Sequence, residues 1–353
     1  MIFGIPNPNA FIDTLIESLI KSVVVLGFLF ASFGYLTLAE RKVLARMQVR
    51  LGPNRVGPFG LLQPLADGLK LLLKEQITPR EVKLGVYLMA PGISVFVALM
   101  AFAIIPVGPP FMLFGRERIM ALANVNIGIL YVLAILSLGV YGIVLCAWSS
   151  SNRYSLMGGL RSTAQIISYE LSLGLALVAV VVLAGTLSPM GIVEAQHRSG
   201  LSWFVLLQPI GFLLFALGGF AETNRAPFDL AEAEQELIAG YHTEYAGMRF
   251  ALYFAAEYIN MITISALVTT LFLGGWIGIG NGIIWNVTDA PWAQLLGVFW
   301  FLFKTAAFLF LYIWVRATLP RIRYDQLMWF GWKILLPASL LNLLVTALYV
   351  SLS

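Results

Sequence analysis

Residues 125–148 read VNIGILYVLAILSLGVYGIVLCAW, a run with no charged side chain. At 1.5 Å of rise per residue, a helix of that length extends about 36 Å, enough to cross the ~30 Å hydrocarbon core of a bilayer. Charge-poor runs of the same kind recur at 22–39, 84–105, 162–187, 201–221, 250–273, 292–315 and 334–352. Pro106, Pro109 and Pro110 close the second, and Gly274, Gly275, Gly278, Gly280 and Gly282 follow the sixth, the punctuation expected where helices end. Composition agrees: 59% hydrophobic and 11% charged residues, with a mean hydropathy of +0.86, cannot form one soluble core under a polar skin. The expectation is an all-α polytopic membrane protein of eight transmembrane helices, a single integral membrane domain over residues 1–353 whose surroundings are lipid and not nucleic acid.

Lys and Arg placement orients the spans. The segment between the first two runs carries Arg41, Lys42, Arg46, Arg50, Arg55, Lys70, Lys74, Arg80 and Lys83, whereas the loops of the opposite face carry only Arg116, Arg118 and Arg198. Positive loops stay inside, so both termini are expected on the periplasmic side of a multi-pass bacterial plasma membrane protein. The first segment, with Pro6, Asp13, Glu17 and Lys21, lacks the pattern of a cleaved secretory signal and is expected to be retained. Cys146 is the single cysteine, and His197 and His242 are the two imidazoles. This chain therefore cannot ligate an iron-sulfur cluster through cysteines, and a haem or a histidine-rich metal site is not expected.

Two inner loops hold the chemistry. The first begins Glu40-Arg41-Lys42 and runs through LGPNRVGPFG (51–60) into a segment whose Leu61, Leu65, Leu69 and Leu72 share one helical face, with Gln63, Asp67, Lys70 and Lys74 opposite. That pattern is an amphipathic helix too short to span, lying in the interface as a lipid anchor or as a docking platform. The second loop crowds Glu222, Asp229, Glu232, Glu234 and Glu236 into fifteen positions. Asp229 suits an N-cap with Glu232 completing a capping box, but Glu236 falls on the face of Glu232, where like charges repel unless one holds a proton. Two more acids, Glu170 and Glu257, lie about eight residues inside the fourth and sixth spans. A carboxylate at that depth must be neutral, paired or hydrated, and Lys304 of the seventh span is a plausible partner.

Residues 60–75 (GLLQPLADGLKLLLKE), 227–240 (PFDLAEAEQELIAG) and 316–327 (RATLPRIRYDQL), together with Glu40-Arg41-Lys42, resemble the signatures of the quinone-site membrane subunit of respiratory complex I, the proton-translocating NADH:quinone oxidoreductase of bacteria. The resemblance extends over nearly the entire chain. It implies an eight-helix subunit joining the peripheral redox arm to the proton-pumping membrane arm, with quinone as the bound substrate. Flavin and iron-sulfur clusters would reside in other subunits, and this chain would carry no metal. Its partners would be the peripheral-arm quinone-module subunits and the small membrane-arm subunits. Carried over residue by residue, Arg41, Asp67, Phe228, Arg316 and Arg321 would line or support the quinone passage. Glu222, Asp229, Glu232, Glu234 and Glu236 would form an acidic loop beneath it, and Glu170 and Glu257 would continue the proton-coupling route. A secondary transporter would also need buried acids, but no clear internal repeat is present. A purely structural anchor for a soluble oxidoreductase is the other alternative.

Overall fold

The computed structural model describes residues 8–113, 116–198, 203–230, 239–278 and 291–352. Its first helix, α1 (Pro8–Met47), is 40 residues long. It continues through Glu40-Arg41-Lys42, which the hydropathy pattern assigns to the loop, because no proline lies between Pro8 and Pro53 and its charged residues are good helix formers. A single 3₁₀ turn (Pro58–Gly60) leads into α2 (Gln63–Leu73), the expected amphipathic element. No residue of α2 is buried, and Leu65, Leu69 and Leu72 project away from the protein.

The next long helices are α3 (Leu84–Phe102), α4 (Gly128–Ser149) and α5 (Arg153–Ala184). Between α3 and α4 a two-stranded antiparallel hairpin pairs β1 (Phe111–Leu113) with β2 (Arg116–Arg118). Hydropathy starts the fourth span at 162, but α5 begins nine residues earlier, where Asn152 Oδ1 accepts the Tyr154 amide at 2.9 Å and caps the helix. A short outer helix, α6 (Pro189–Arg198), follows. The fifth expected span, 201–221, is broken at Gln208-Pro209 into α7 (Phe204–Leu207) and α8 (Pro209–Glu222), because Pro209 has no amide to continue the ladder. Alone, α8 extends about 21 Å, short of the ~30 Å hydrocarbon thickness.

After α8 come α9 (Met248–Phe272), α10 (Pro291–Thr318), α11 (Tyr324–Phe330), one π-helical turn (Gly331–Leu335) and α12 (Leu336–Leu352). Among the described residues, seven helices are long and apolar enough to cross a membrane, the last combining α11, the π turn and α12. The chain is thus a multi-pass membrane protein. Its most enclosed helix is α9, packed against α3 and α10. The outward faces remain apolar, as Leu341, Leu344 and Leu348 on α12 illustrate. An inside-out polarity of this kind is stable only where the surrounding solvent is hydrocarbon.

Candidate functional site

A cleft of about 560 Å³ lies between α1, α2 and α9 and reaches the C-terminal end of α10 at Arg316. Its volume falls within the ordinary range for ligand pockets. Phe30, Phe33, Leu252 and Phe254 give its lining hydrocarbon, and Glu40, Arg41, Asp67, Arg225 and Arg316 give it charge. Gly34 sets its floor: a Cβ there would stand 3.2 Å from the Pro64 Cβ, so glycine lets α2 lie directly on α1. At the mouth, Arg41 Nη1 and Asp67 Oδ2 pair at 2.7 Å, tying α1 to α2.

The charged side chains are organised around Glu40, which is almost fully buried. Arg316 Nη1 donates to its Oε1, and Tyr258 OH donates to its Oε2 at 2.6 Å. Arg225 stands 3.7 Å from Glu40 Oε1 through Nη1 and 3.8 Å from Glu257 Oε2 through Nη2. Its guanidinium lies 4.2 Å over the Tyr258 ring. One arginine thus sits between two buried carboxylates from different helices. Local sequence explains its position: Asn224 adopts φ 49°, a left-handed conformation that asparagine tolerates, and turns the chain beneath α9. Gln165 of α5 fixes that turn by donating to Ala221 O at 2.9 Å and Phe228 O at 2.7 Å.

Beyond Arg225 the polar groups continue. Glu257 Oε1 accepts from Tyr241 OH at 3.1 Å. Glu257 also lines a small cavity of about 40 Å³ with Glu222, Asn224 and Asn260. That volume has room for roughly three water molecules. Among the described residues, the Glu222 Oε2 and Asn260 Oδ1 atoms lack a protein hydrogen-bond partner, which suits them to hold such waters. Glu170 lies next, beside Ser137 and within electrostatic reach of Glu222. In the turn ahead of α9, burial against Tyr241 and Phe250 pushes the His242 imidazole down to about 4, so it is neutral at pH 7.

Of the residues nominated from sequence, the structure gathers Arg41, Asp67 and Arg316 at the cleft and Glu222, Glu257 and Glu170 along the interior route. Phe228 does not line the cleft but packs on Tyr169 with ring centroids 5.5 Å apart. Arg321 binds Asp229 at 2.6 Å, again away from the cleft lining. Glu232, Glu234 and Glu236 lie outside the described residues. Lys304 does not meet Glu170 or Glu257: its ammonium donates to Leu273 O at 2.6 Å, Gly275 O at 2.8 Å and Ile277 O at 2.6 Å. Carbonyls past the end of α9 lack helical amide partners, and a cation is favoured there. Sequence reasoning passes over Glu40, Arg225, Tyr258 and Tyr241 as site residues. The signal for Glu40 is available, since an acid directly after an apolar run must turn inward if the helix continues.

Long apolar helices enclosing a ligand-sized cleft lined by ionisable side chains define a class, the multi-pass membrane proteins with a built pocket. The NADH dehydrogenase family model matches residues 20–347, and the chain belongs to that family. It is 54% identical over 338 residues to an NADH-quinone oxidoreductase subunit of Protochlamydia amoebophila, covering 96% of this chain and 99% of the relative. It is 53% identical to the corresponding NADH-quinone oxidoreductase subunit of Thermomicrobium roseum, over 95% of this chain and 96% of the relative. For the counterpart in Deinococcus deserti the identity is 50%, over 96% and 85%.

Proposed function

We propose that the chain acts as the quinone-passage subunit of a proton-translocating NADH-quinone oxidoreductase, seated with eight membrane crossings in the bacterial plasma membrane. On this reading α7 and α8 together make the eighth crossing, both termini face the periplasm, and α2 lies in the inner interface with its leucines in lipid. The peripheral-arm quinone-module subunits dock on the inner face and deliver electrons, and small membrane-arm subunits flank the bundle. The observation that carries the reading is the cleft itself: phenylalanines suited to an isoprenoid tail share its lining with Arg225, Glu40 and Arg316.

The geometry supports a route by which quinone chemistry reaches the membrane interior. Reduction of a quinone to a quinol takes up two electrons and two protons and leaves the quinol neutral, so the charge at the cleft changes where side chains there give up the protons. Opposite charges at the Arg225 separations attract by about 4 kcal/mol at an effective dielectric near 20. Neutralising Glu40 frees that attraction for Glu257, and the converse holds as well. Arg225 therefore transmits a change on the cleft side to the cavity side, where Glu222, its waters and Glu170 carry the proton onward. Asp229, Glu232, Glu234 and Glu236 belong to the same proton-coupling set, with Arg321 paired to Asp229 and Phe228 packed on Tyr169.

A photoreactive quinone analogue tests the reading on the purified complex. Labelling of peptides containing Arg41, Asp67 or Arg316, competed by native quinone, supports it. Labelling confined to other subunits, or ion flux through the chain reconstituted alone, refutes it.

A further inference from the structure

A second trough, of about 670 Å³, opens on the opposite side of α1 from the quinone cleft and shares no lining residue with it. Lys42, Arg46, Val43, Met47 and Leu51 form its α1 wall and roof, and Phe310 of α10 forms its far wall. Helical geometry separates the two faces, since Glu40, Arg41 and Leu44 point into the cleft. Gly52 brings the loop down onto α1, where a Cβ would meet the Lys42 Cα at 3.1 Å. Lys42 donates to Phe59 O, which holds the roof.

Charge distinguishes this trough from an ordinary lipid-facing groove. Lys42 and Arg46 line it, Arg50 and Arg55 belong to the chain segment that follows, and among the described residues none of the four has a carboxylate within ion-pair distance. Arg50 uses its Nε on Gln48 Oε1 at 2.7 Å, which leaves the charge uncompensated. The apolar part continues into the membrane: Phe310 precedes the inner end of α10 at Thr318 by eight residues, about 12 Å of helix. Cations at the inner boundary above a hydrocarbon wall call for an amphiphile with an anionic head. A soluble acidic peptide would satisfy the charges but not the submerged wall.

We propose that this trough binds an anionic phospholipid, its phosphate between Lys42 and Arg46 and an acyl chain along Val43 and Phe310. The site rests on the membrane orientation of α1 and not on the quinone reading of the cleft. Each cation near the headgroup plane favours an anionic lipid by about fivefold over a zwitterionic one.

The test uses the whole assembled complex with Phe310 replaced by p-benzoylphenylalanine, in nanodiscs of equal parts phosphatidylglycerol and phosphatidylcholine. After irradiation, the peptide containing position 310 is weighed for lipid adducts. Phosphatidylglycerol adducts exceeding phosphatidylcholine adducts by about fivefold or more support the site. Arg46→Glu should bring the ratio close to one, and Arg46→Lys should preserve it. If Arg46→Glu fails to assemble, ~1 M salt replaces it, since screening to ~3 Å should also remove the preference. Equal adducts from the two lipids with the cations intact, or a cross-link from position 310 to another polypeptide, would overturn the proposal.

Discussion

Replacing Tyr258 with Phe isolates the hydrogen bond that holds Glu40 in the cleft lining. The ring stays, so the guanidinium of Arg225 keeps its aromatic face at 4.2 Å, while Glu40 Oε2 loses a donor at 2.6 Å. A hydrogen bond to a charged group contributes about 1.5–3 kcal/mol. Each ~1.4 kcal/mol is a factor of ten in rate if the full amount bears on the limiting step. Tyr258→Phe should therefore lower NADH-driven quinone reduction about 10- to 100-fold. NADH oxidation by a water-soluble artificial acceptor should be unchanged, because that reaction bypasses the membrane. Tyr241→Phe is the matched control: it removes the 3.1 Å donor to Glu257 on the cavity side and should reduce protons pumped per quinone while sparing quinone reduction. The reasoning fails if Tyr258→Phe reduces quinone within twofold of the unaltered complex, or if the two tyrosine variants have the same phenotype.

Other outcomes follow from the same geometry. Gly34→Leu should wedge α2 away from α1 and raise the KM for long-tailed quinones more than for short ones, which steady-state kinetics will resolve. Arg41→Gln should change the quinone KM with little change in thermal stability, because an ion pair this exposed contributes ~0–1 kcal/mol to folding. His242 gives a pH signature: its folded-state value of about 4 lies below the ordinary 6.5, so the unfolded chain protonates first. Stability present above pH 6.5 should decline on acidification toward pH 4, by up to roughly 3 kcal/mol, and His242→Phe should flatten that limb in thermal melts. Lys304→Met should strip donors from three buried carbonyls and lower the yield of assembled complex in native electrophoresis, whereas Lys304→Arg should retain it.

The sequence by itself determined what depends on neighbouring residues. Hydropathy over ~20-residue windows marked the spans, because crossing a bilayer is a local demand on length and polarity. The asymmetry of Lys and Arg gave a sidedness, and the alternation of Leu65, Leu69 and Leu72 against Asp67 and Lys70 defined the face that α2 leaves uncovered. Long motifs carried the family resemblance, which the family match from 20 to 347 supports. Only the tertiary structure decided which charges meet. Glu40 and Arg316 are 276 positions apart, and Tyr258 reaches Glu40 across 218. Such pairings depend on how each helix is rotated about its axis and which neighbours it packs against. Its place in an apolar span makes Lys304 a plausible partner for Glu170 or Glu257, yet Lys304 meets carbonyls about 24 Å further along α9 than Glu257. An ammonium in a low-dielectric interior goes to whichever unsatisfied acceptors the packing brings within reach, and no linear reading of the chain contains those distances.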